Sequence, residues 1–337
     1  MATSPTRRGA LVLAASALFA PAAFPSIVRA QTPPKKLNYG LTSKTSNDWV
    51  NFLSEKLGFF TAHGVQPDFI VVGSASGNGQ QMAAGSLDMG GIASPNLIEA
   101  VIGGAPLTVV VARTRVSPYV IVAKKGYRAL KELAGKMVIV DSPSGITRLM
   151  VDGVLEANHM KGSDVTYTYA GGTPERFAAL MSGAVDAAML LPPFSFRATA
   201  QGYPVLAEIP KYFPTLPVDQ TAANVNFAKA HPDVLGGYLR GYLQGLHWIY
   251  DPANEAQATA ILTEATNTSP EDAKKTYDVY VRGKVFSPDG VTSIPGMTKM
   301  LEMLAKLGQI KPPIPPATSF VSNQYIQEAA AQLKKGG

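Results

Sequence analysis

The chain contains no cysteine among its 337 residues. That excludes a disulfide, a thiol nucleophile and any cysteine-ligated metal centre. Histidine is scarce: His63, His159, His231 and His247 share no metal-ligand spacing, and no acid cluster supplements them, so no metal site is expected. No Ser-His-Asp arrangement is visible, and no catalytic residue is assigned. Charged residues make up only 16% of the chain, and the formal excess of +6 includes no basic run, so nucleic acid is not an expected partner. Past the N-terminus no apolar run approaches the roughly 20 residues of a membrane span. The glycine-rich stretch Gly73-Ser74-Ala75-Ser76-Gly77-Asn78-Gly79 lacks the Lys and Ser/Thr of a phosphate loop, and also the dinucleotide spacing. No cofactor is therefore expected.

What is present begins with an address. Arg7-Arg8 precede an apolar run from Gly9 to Phe24, and Val28-Arg29-Ala30 follows. A basic start, a short apolar core and small residues at −3 and −1 describe an export signal cut after Ala30. The arginine pair leaves Sec and Tat export both open. The leader carries three arginines and no acid, so the mature chain keeps only a mild basic excess. No cysteine follows the cleavage site to carry a lipid. A free periplasmic protein, monomeric, is expected.

The segment Leu57–Pro95 is echoed without a gap 98 positions later, in Leu155–Pro193. Gly64 maps to Gly162, Gly73 to Gly171, Gly85 to Gly183, Asp88 to Asp186 and Pro95 to Pro193. The identities fall at turns and element ends, so one α/β unit is built twice. Apolar runs at Lys36–Leu41, Phe69–Val72, Leu87–Ala93 and Leu107–Ala112 read as strands, with helices between them. The order recurs at Tyr119–Ala123, Lys136–Val140, Val165–Tyr169 and Val185–Leu191, with a further strand at Val205–Ile209. Alternation of this kind predicts mainly parallel sheets with helices on both faces. The chain is expected to cross between lobes near Arg113–Pro118 and again near Pro214–Thr221. Lobe 1 would hold residues 36–115 and 218–337, and lobe 2 residues 116–217. The tail is helical. Leu235, Tyr238, Leu239, Tyr242 and Leu246 share one stripe, Ser269-Pro270-Glu271-Asp272 is a helix start, and Phe320–Leu333 closes the chain.

Ligands of open parallel sheets bind beyond the carboxyl ends of the strands. The loops there are rich in hydroxyls, amides and glycine, and each leads into a helix whose free N–H groups favour an anion. Lobe 1 offers Ser43, Thr45, Asn47, Ser74, Ser76, Ser94 and Asn96, and lobe 2 offers Ser144, Thr147 and Thr173. Arg148 stands in a first helical turn, where the dipole disfavours a cation, so an anionic ligand would account for it. Such a charge-assisted contact is worth about 1.5–3 kcal/mol. Trp49 and Phe194 could supply flat apolar walls. Arg113 and Arg115 flank the first crossover, where one could face the cleft, although hinge or surface ion pairs are the expected role. Asp88 and Asp186 precede strands on the side away from the cleft, which fits a structural turn role.

These features meet a known family. Trp49 with Leu57-Gly58-Phe59-Phe60, Gly64-Val65 and Gly73-Ser74 carries part of the likeness. Met82-Ala83-Ala84-Gly85-Ser86-Leu87-Asp88-Met89, Leu130–Lys136 and Gly183-Ala184-Val185-Asp186-Ala187-Ala188 carry the rest. In their order and spacing they resemble the solute-binding proteins of ABC importers for nitrate, sulfonates and taurine, including relatives that bind thiamine precursors. The resemblance implies a type II periplasmic binding protein with two crossovers. It also implies ligand contacts from Ser43, Trp49, Ser74, Ser94, Ser144, Thr147 and Thr173. The yeast thiamine-precursor enzymes of this fold depend on a cysteine-rich segment, and its absence argues against that activity here.

The expected function is capture of a small anionic or aromatic organic solute by hinge closure, with delivery to an inner-membrane ABC permease and no enzymatic turnover. Two other readings are a cofactor-synthesis enzyme on the same scaffold and a sensor subunit. An enzyme would need acids or histidines in the cleft loops, where Asp48 and Asp141 are the nearest acids.

Overall fold

The computed structural model describes residues 33–214 and 216–336. The leader expected over residues 1–30 lies outside the described residues.

The described residues form two five-stranded sheets. The first contains β1 (Lys35–Leu41), β2 (Val65–Val71), β3 (Met89–Ala93), β4 (Leu107–Ala112) and β10 (Asp219–Asn224), in the order β2-β1-β3-β10-β4. The second contains β5 (Val120–Ala123), β6 (Met137–Val140), β7 (Thr166–Tyr169), β8 (Ala187–Leu190) and β9 (Val205–Glu208), in the order β7-β6-β8-β5-β9. Within each sheet one strand opposes its neighbours: β10 between β3 and β4, and β5 between β8 and β9. Each is the first strand laid down after the chain changes sheet. It enters at the edge where the two sheets face each other and runs away from it, whereas strands of the repeating units run toward it. The two sheets thus share one mixed topology, four strands one way and one the other.

β10 departs from expectation. Asp219-Gln220-Thr221-Ala222-Ala223-Asn224 carries no large apolar residue and falls where the sequence predicts a crossover, yet all six residues are buried. The strand is threaded through the sheet, and each of its polar side chains finds a partner, with Asp219 Oδ2 and Gln220 Nε2 alone left without one among the described residues. Thr221 Oγ1 lies 2.9 Å from Tyr39 Oη, Thr292 Oγ1 donates to Gln220 Oε1 at 3.1 Å, and Asn224 Nδ2 donates to Met82 O at 2.8 Å.

The repeated segments fold alike. Each runs from a helix end through an outer strand (β2 or β7), a helix (Ala75–Ala83 or Thr173–Met181) and a central strand (β3 or β8). Gly85 and Gly183 stop those helices with φ of 77° and 78°, a left-handed conformation that suits glycine. Three residues on, Asp88 Oδ2 accepts from Asn38 N at 2.8 Å and Asp186 Oδ2 from Met137 N at 3.0 Å. Both carboxylates therefore tie the start of a central strand to its neighbour.

The helix Pro232–Ile249 packs on Trp49–Lys56, on Phe59–Ala62 and on the closing helix Gln324–Gly336. Its stripe Leu235, Tyr238, Leu239, Tyr242 and Leu246 is buried with Leu37, Tyr39 and Trp49. A second cluster, around Val122, Ile139, Phe177 and Leu180, belongs to the other sheet. The largest cluster spans both: Met82, Leu97 and Val109 are continuous with Ile121, Val138 and Met150. An apolar seam along the helices Ser94–Ile102 and Ile146–Ala157 therefore joins the lobes beside the cleft. Among the described residues no helix is long and apolar enough to cross a membrane.

Candidate functional site

A cavity of ≈ 50 Å³ lies between the lobes, where the carboxyl ends of the parallel strands converge. By volume it has room for a few water molecules. Lobe 1 contributes Thr42, Ser43, Thr45, Asn47 and Asp48 after β1, Ala93 at the end of β3, Arg113 after β4, and Val218-Asp219 at the start of β10. Lobe 2 contributes Tyr119 before β5, Asp141 and Ile146 after β6, Gly171 and Thr173 after β7, and Leu191 after β8.

The lobes touch around this cavity. Ser46 Oγ donates to Pro192 O, and Ser144 Oγ to Glu99 Oε2 at 3.2 Å. Gly171 lies against Gly73 O and Ser74, so close that a Cβ on it would stand 2.8 Å from Ser74 Cβ. The structure is that of a closed cleft.

Of the residues expected from sequence, Ser43, Thr45, Asn47 and Thr173 line the cavity. Asn47 Oδ1 accepts from Tyr280 Oη at 2.6 Å, and Thr173 Oγ1 accepts from Arg176 Nη2 at 3.0 Å, which fixes both side chains. The others stand elsewhere. Trp49 is fully buried in the core, where its Nε1 donates to Ala258 O at 3.0 Å, because its apolar surface faces the aromatic cluster of Tyr277 and Phe286. Phe194 packs on Phe177 inside lobe 2. Ser74 is the helix cap its position suggests, its Oγ accepting from Gly77 N at 3.0 Å, with exposed Ser76 beside it. Ser94 is turned to Pro217 O at 2.7 Å, and Asn96 is buried outside the cavity wall. Ser144 forms the rim contact already noted. Arg148 faces its own helix and sheet rather than the cleft: Nε donates to Asp152 Oδ2 at 2.8 Å, and the guanidinium lies 3.6 Å over the Tyr167 ring. A carboxylate one turn along the helix thus does what a bound anion was expected to do.

Thr147 acts through a neighbour. Its Oγ1 and backbone N donate to Asp141 Oδ1 at 2.7 and 3.2 Å, holding that carboxylate in the cavity wall.

The charged groups of the lining lie outside the expected set of ligand contacts. Arg113 is 3% exposed and bridges two carboxylates, Nη1 to Asp48 Oδ1 and Nη2 to Asp219 Oδ1. Burial works against the arginine's charge, but Asp219 and Asp48 outweigh it and hold the guanidinium protonated. Burial pushes both carboxyls upward, that of Asp219 to about 7, although Arg113 pulls the other way. Tyr119 faces the triad across the cleft, and burial raises its phenol above the ordinary range, so it remains an O–H donor. One signal was available. Arg113 follows the apolar run of β4 directly, so the strand-end rule that selects the serine loops selects it too. Asp219 carries no such signal, because its segment lacks the apolar run of a strand.

Among the described residues no group of three or more acids and histidines is arranged to hold a metal ion. The cavity presents hydroxyls, an amide, a phenol and carboxylates. That set suits hydrogen bonding to a small polar guest.

Comparison with known proteins agrees with this architecture. A protein from Bordetella bronchiseptica RB50 superposes with a TM-score of 0.76 at 20% identity, covering 89% of this chain and 98% of its own. The periplasmic nitrate-binding protein NrtA from Synechocystis PCC 6803 gives 0.74 at 15% identity, with 89% of each chain covered. The alkanesulfonate-binding protein SsuA from Xanthomonas axonopodis pv. citri, bound to MOPS, gives 0.70 at 16% identity, covering 88% of this chain and 98% of its own. At such identities the likeness is one of fold. No curated protein matches the sequence at a significant level. The sequence model described as NMT1/THI5 like matches residues 49–256, more than half of the chain. With a two-lobed periplasmic-binding fold and a cavity at the convergent strand ends, the chain belongs to the NMT1/THI5-like family.

Proposed function

We propose that this protein is the extracytoplasmic solute-binding component of an ABC uptake system, closing on a small solute and delivering it to an inner-membrane permease. The observation that carries the reading is the cavity walled by both lobes at the carboxyl ends of their strands. A guest that touches both walls gains contacts only on closure, so it shifts the open–closed equilibrium toward the closed state, which a permease can read. Family membership and the shared fold support the same reading.

In this reading residues 36–115 and 218–337 form lobe 1 and residues 116–217 lobe 2. The leader is cut after Ala30, and the mature protein works in the periplasm as a monomer. Ser43, Thr45, Asn47 and Thr173 bond to the solute, which leaves unaltered. The test is thermal melting against a solute panel, with small-angle scattering on each hit. A true solute raises the melting temperature with concentration, since binding to the folded state alone stabilises it by about 2.7 kcal/mol at a hundredfold excess over Kd. It also makes the particle more compact, and it is recovered unchanged. Conversion of the solute on incubation would move the protein to the enzymes.

A further inference from the structure

The charged groups walling the cavity are mostly acidic. Asp48 and Asp219 come from lobe 1 and Asp141 from lobe 2, against a single lining cation, Arg113. Both ends of that arginine's fork are committed, one to each lobe 1 carboxylate, and only its buried Nε has no partner among the described residues. Arg176, buried next to Thr173, is turned to protein oxygens: Nε donates to Met189 O, Nη1 to Ala170 O and Gly171 O, and Nη2 to Thr173 Oγ1.

The carboxylates are less fully used. Asp219 is 8% exposed, and its Oδ2 is buried with no hydrogen-bond partner among the described residues. An orphaned buried carboxylate oxygen is costly unless something donates to it. In the facing wall Asp141 takes its hydrogen bonds from Ser142 N, Thr147 N and Thr147 Oγ1 on Oδ1 alone. Each lobe therefore brings to the cavity wall a carboxylate with one oxygen that takes no hydrogen bond from the described residues, and the one lining cation has its fork occupied by carboxylates.

We propose that the solute of this cleft is a small organic cation, an ammonium or amidinium, whose N–H groups donate to Asp219 Oδ2 in one lobe and Asp141 Oδ2 in the other. An oxyanion could reach only the Nε of Arg113 without displacing a carboxylate, and there it would sit beside the two carboxylates that the arginine already bridges. A cation instead neutralises the excess acid and links the lobes through charge-assisted bonds, which are the strong ones. The inference rests on the solute-binding reading and adds the charge of the guest.

Equilibrium dialysis tests it. The protein is dialysed against an equimolar mixture of ethylammonium, choline, guanidinium, putrescine and agmatine with nitrate, sulfate and ethanesulfonate. What the protein retains is identified by mass spectrometry. The expected result is at least tenfold enrichment of one or more cations by the wild type, reduced tenfold or more in Asp219→Asn and Asp141→Asn, with circular dichroism verifying their folding. Enrichment of an oxyanion without a cation overturns the charge assignment and leaves the solute-binding reading standing. Enrichment of a cation equally by wild type and both variants overturns the two-carboxylate seat. Retention of nothing counts against solute binding itself and removes this inference with it.

Discussion

Arg113 lies flat against Gly91. A Cβ built on that glycine would stand 2.6 Å from Nη2 and 2.9 Å from Cζ of the arginine. The glycine in the middle of β3 leaves the space in which the guanidinium reaches Asp48 and Asp219. Gly91→Ala is therefore expected to push Arg113 off both carboxylates. Breaking a buried ion pair leaves uncompensated charge, so a loss of about 3–5 kcal/mol is expected in urea unfolding. An alanine variant as stable as the wild type would show that the guanidinium has room to move.

Gly171 is the corresponding contact between lobes. A methyl group there meets Gly73 O and Ser74 across the cleft. Gly171→Ala should hold the lobes apart at a cost of about 1–3 kcal/mol to the closed state, the usual penalty of overpacking. Affinity for any solute that raises the wild-type melting temperature should fall roughly ten- to a hundredfold by calorimetry. Urea stability of the unliganded protein should barely change, because the open form relieves the clash.

The buried triad makes stability depend on pH. The Asp219 carboxyl is pushed up to about 7 by burial, against an ordinary 3.8. Between about pH 4 and 7 the folded protein holds a proton that the unfolded chain releases, so stability falls as pH rises through that window. Asp48, also pushed up by burial, acts in the same direction. Asp186 has the opposite sign: burial alone would raise it, but the Met137 amide, Lys124 and Tyr127 together lower it. Its contribution is present above pH 4 and lost in more acidic solution. The unfolding free energy measured in urea should therefore decline from about pH 5 to neutrality, by on the order of 2–4 kcal/mol. Asp219→Asn should flatten that limb and leave the acid limb in place.

Trp49→Phe separates core from cleft. The change removes the hydrogen bond to Ala258 O and part of a ring packed on Tyr277 and Phe286. A loss of about 1–3 kcal/mol in unfolding free energy is expected, with solute affinity within twofold of the wild type. A large fall in affinity at unchanged stability would return Trp49 to the site.

Arg148→Ala should do little. Its partners are Asp152 on the same helix and the Tyr167 ring. Removing a partly exposed pair of this kind costs under about 1 kcal/mol, and solute affinity should be unchanged by calorimetry.

Much of the architecture was legible because its signals are local. The helix stops at Gly85 and Gly183 and the cap Ser269, whose Oγ accepts from Asp272 N at 3.1 Å, depend on neighbours within a few residues, whereas Asp88 and Asp186 are legible from their place after the stop glycine although the amides they bind lie 50 and 49 positions away. β10 was illegible for a physical reason. A central strand needs no large apolar side chains if its polar groups are satisfied, and its partners Tyr39, Met82 and Thr292 lie far away in sequence. The site divides in the same way. Ser43, Thr45, Asn47 and Thr173 follow parallel strands and reach the cavity by topology alone. Ser74, Ser94 and Arg148 share that local context, but Gly77, Asp152 and, from 123 positions away, Pro217 take up their side chains.

The sequence by itself determined the repeated α/β unit, the number of lobes and the strand ends at which the cavity lies, since periodicity and turn chemistry act over short stretches of chain. Only the tertiary structure decided the electrostatics there. Arg113 meets Asp48 and Asp219 across 65 and 106 positions. Whether a buried charge is neutralised depends on distances in space, which no local pattern encodes.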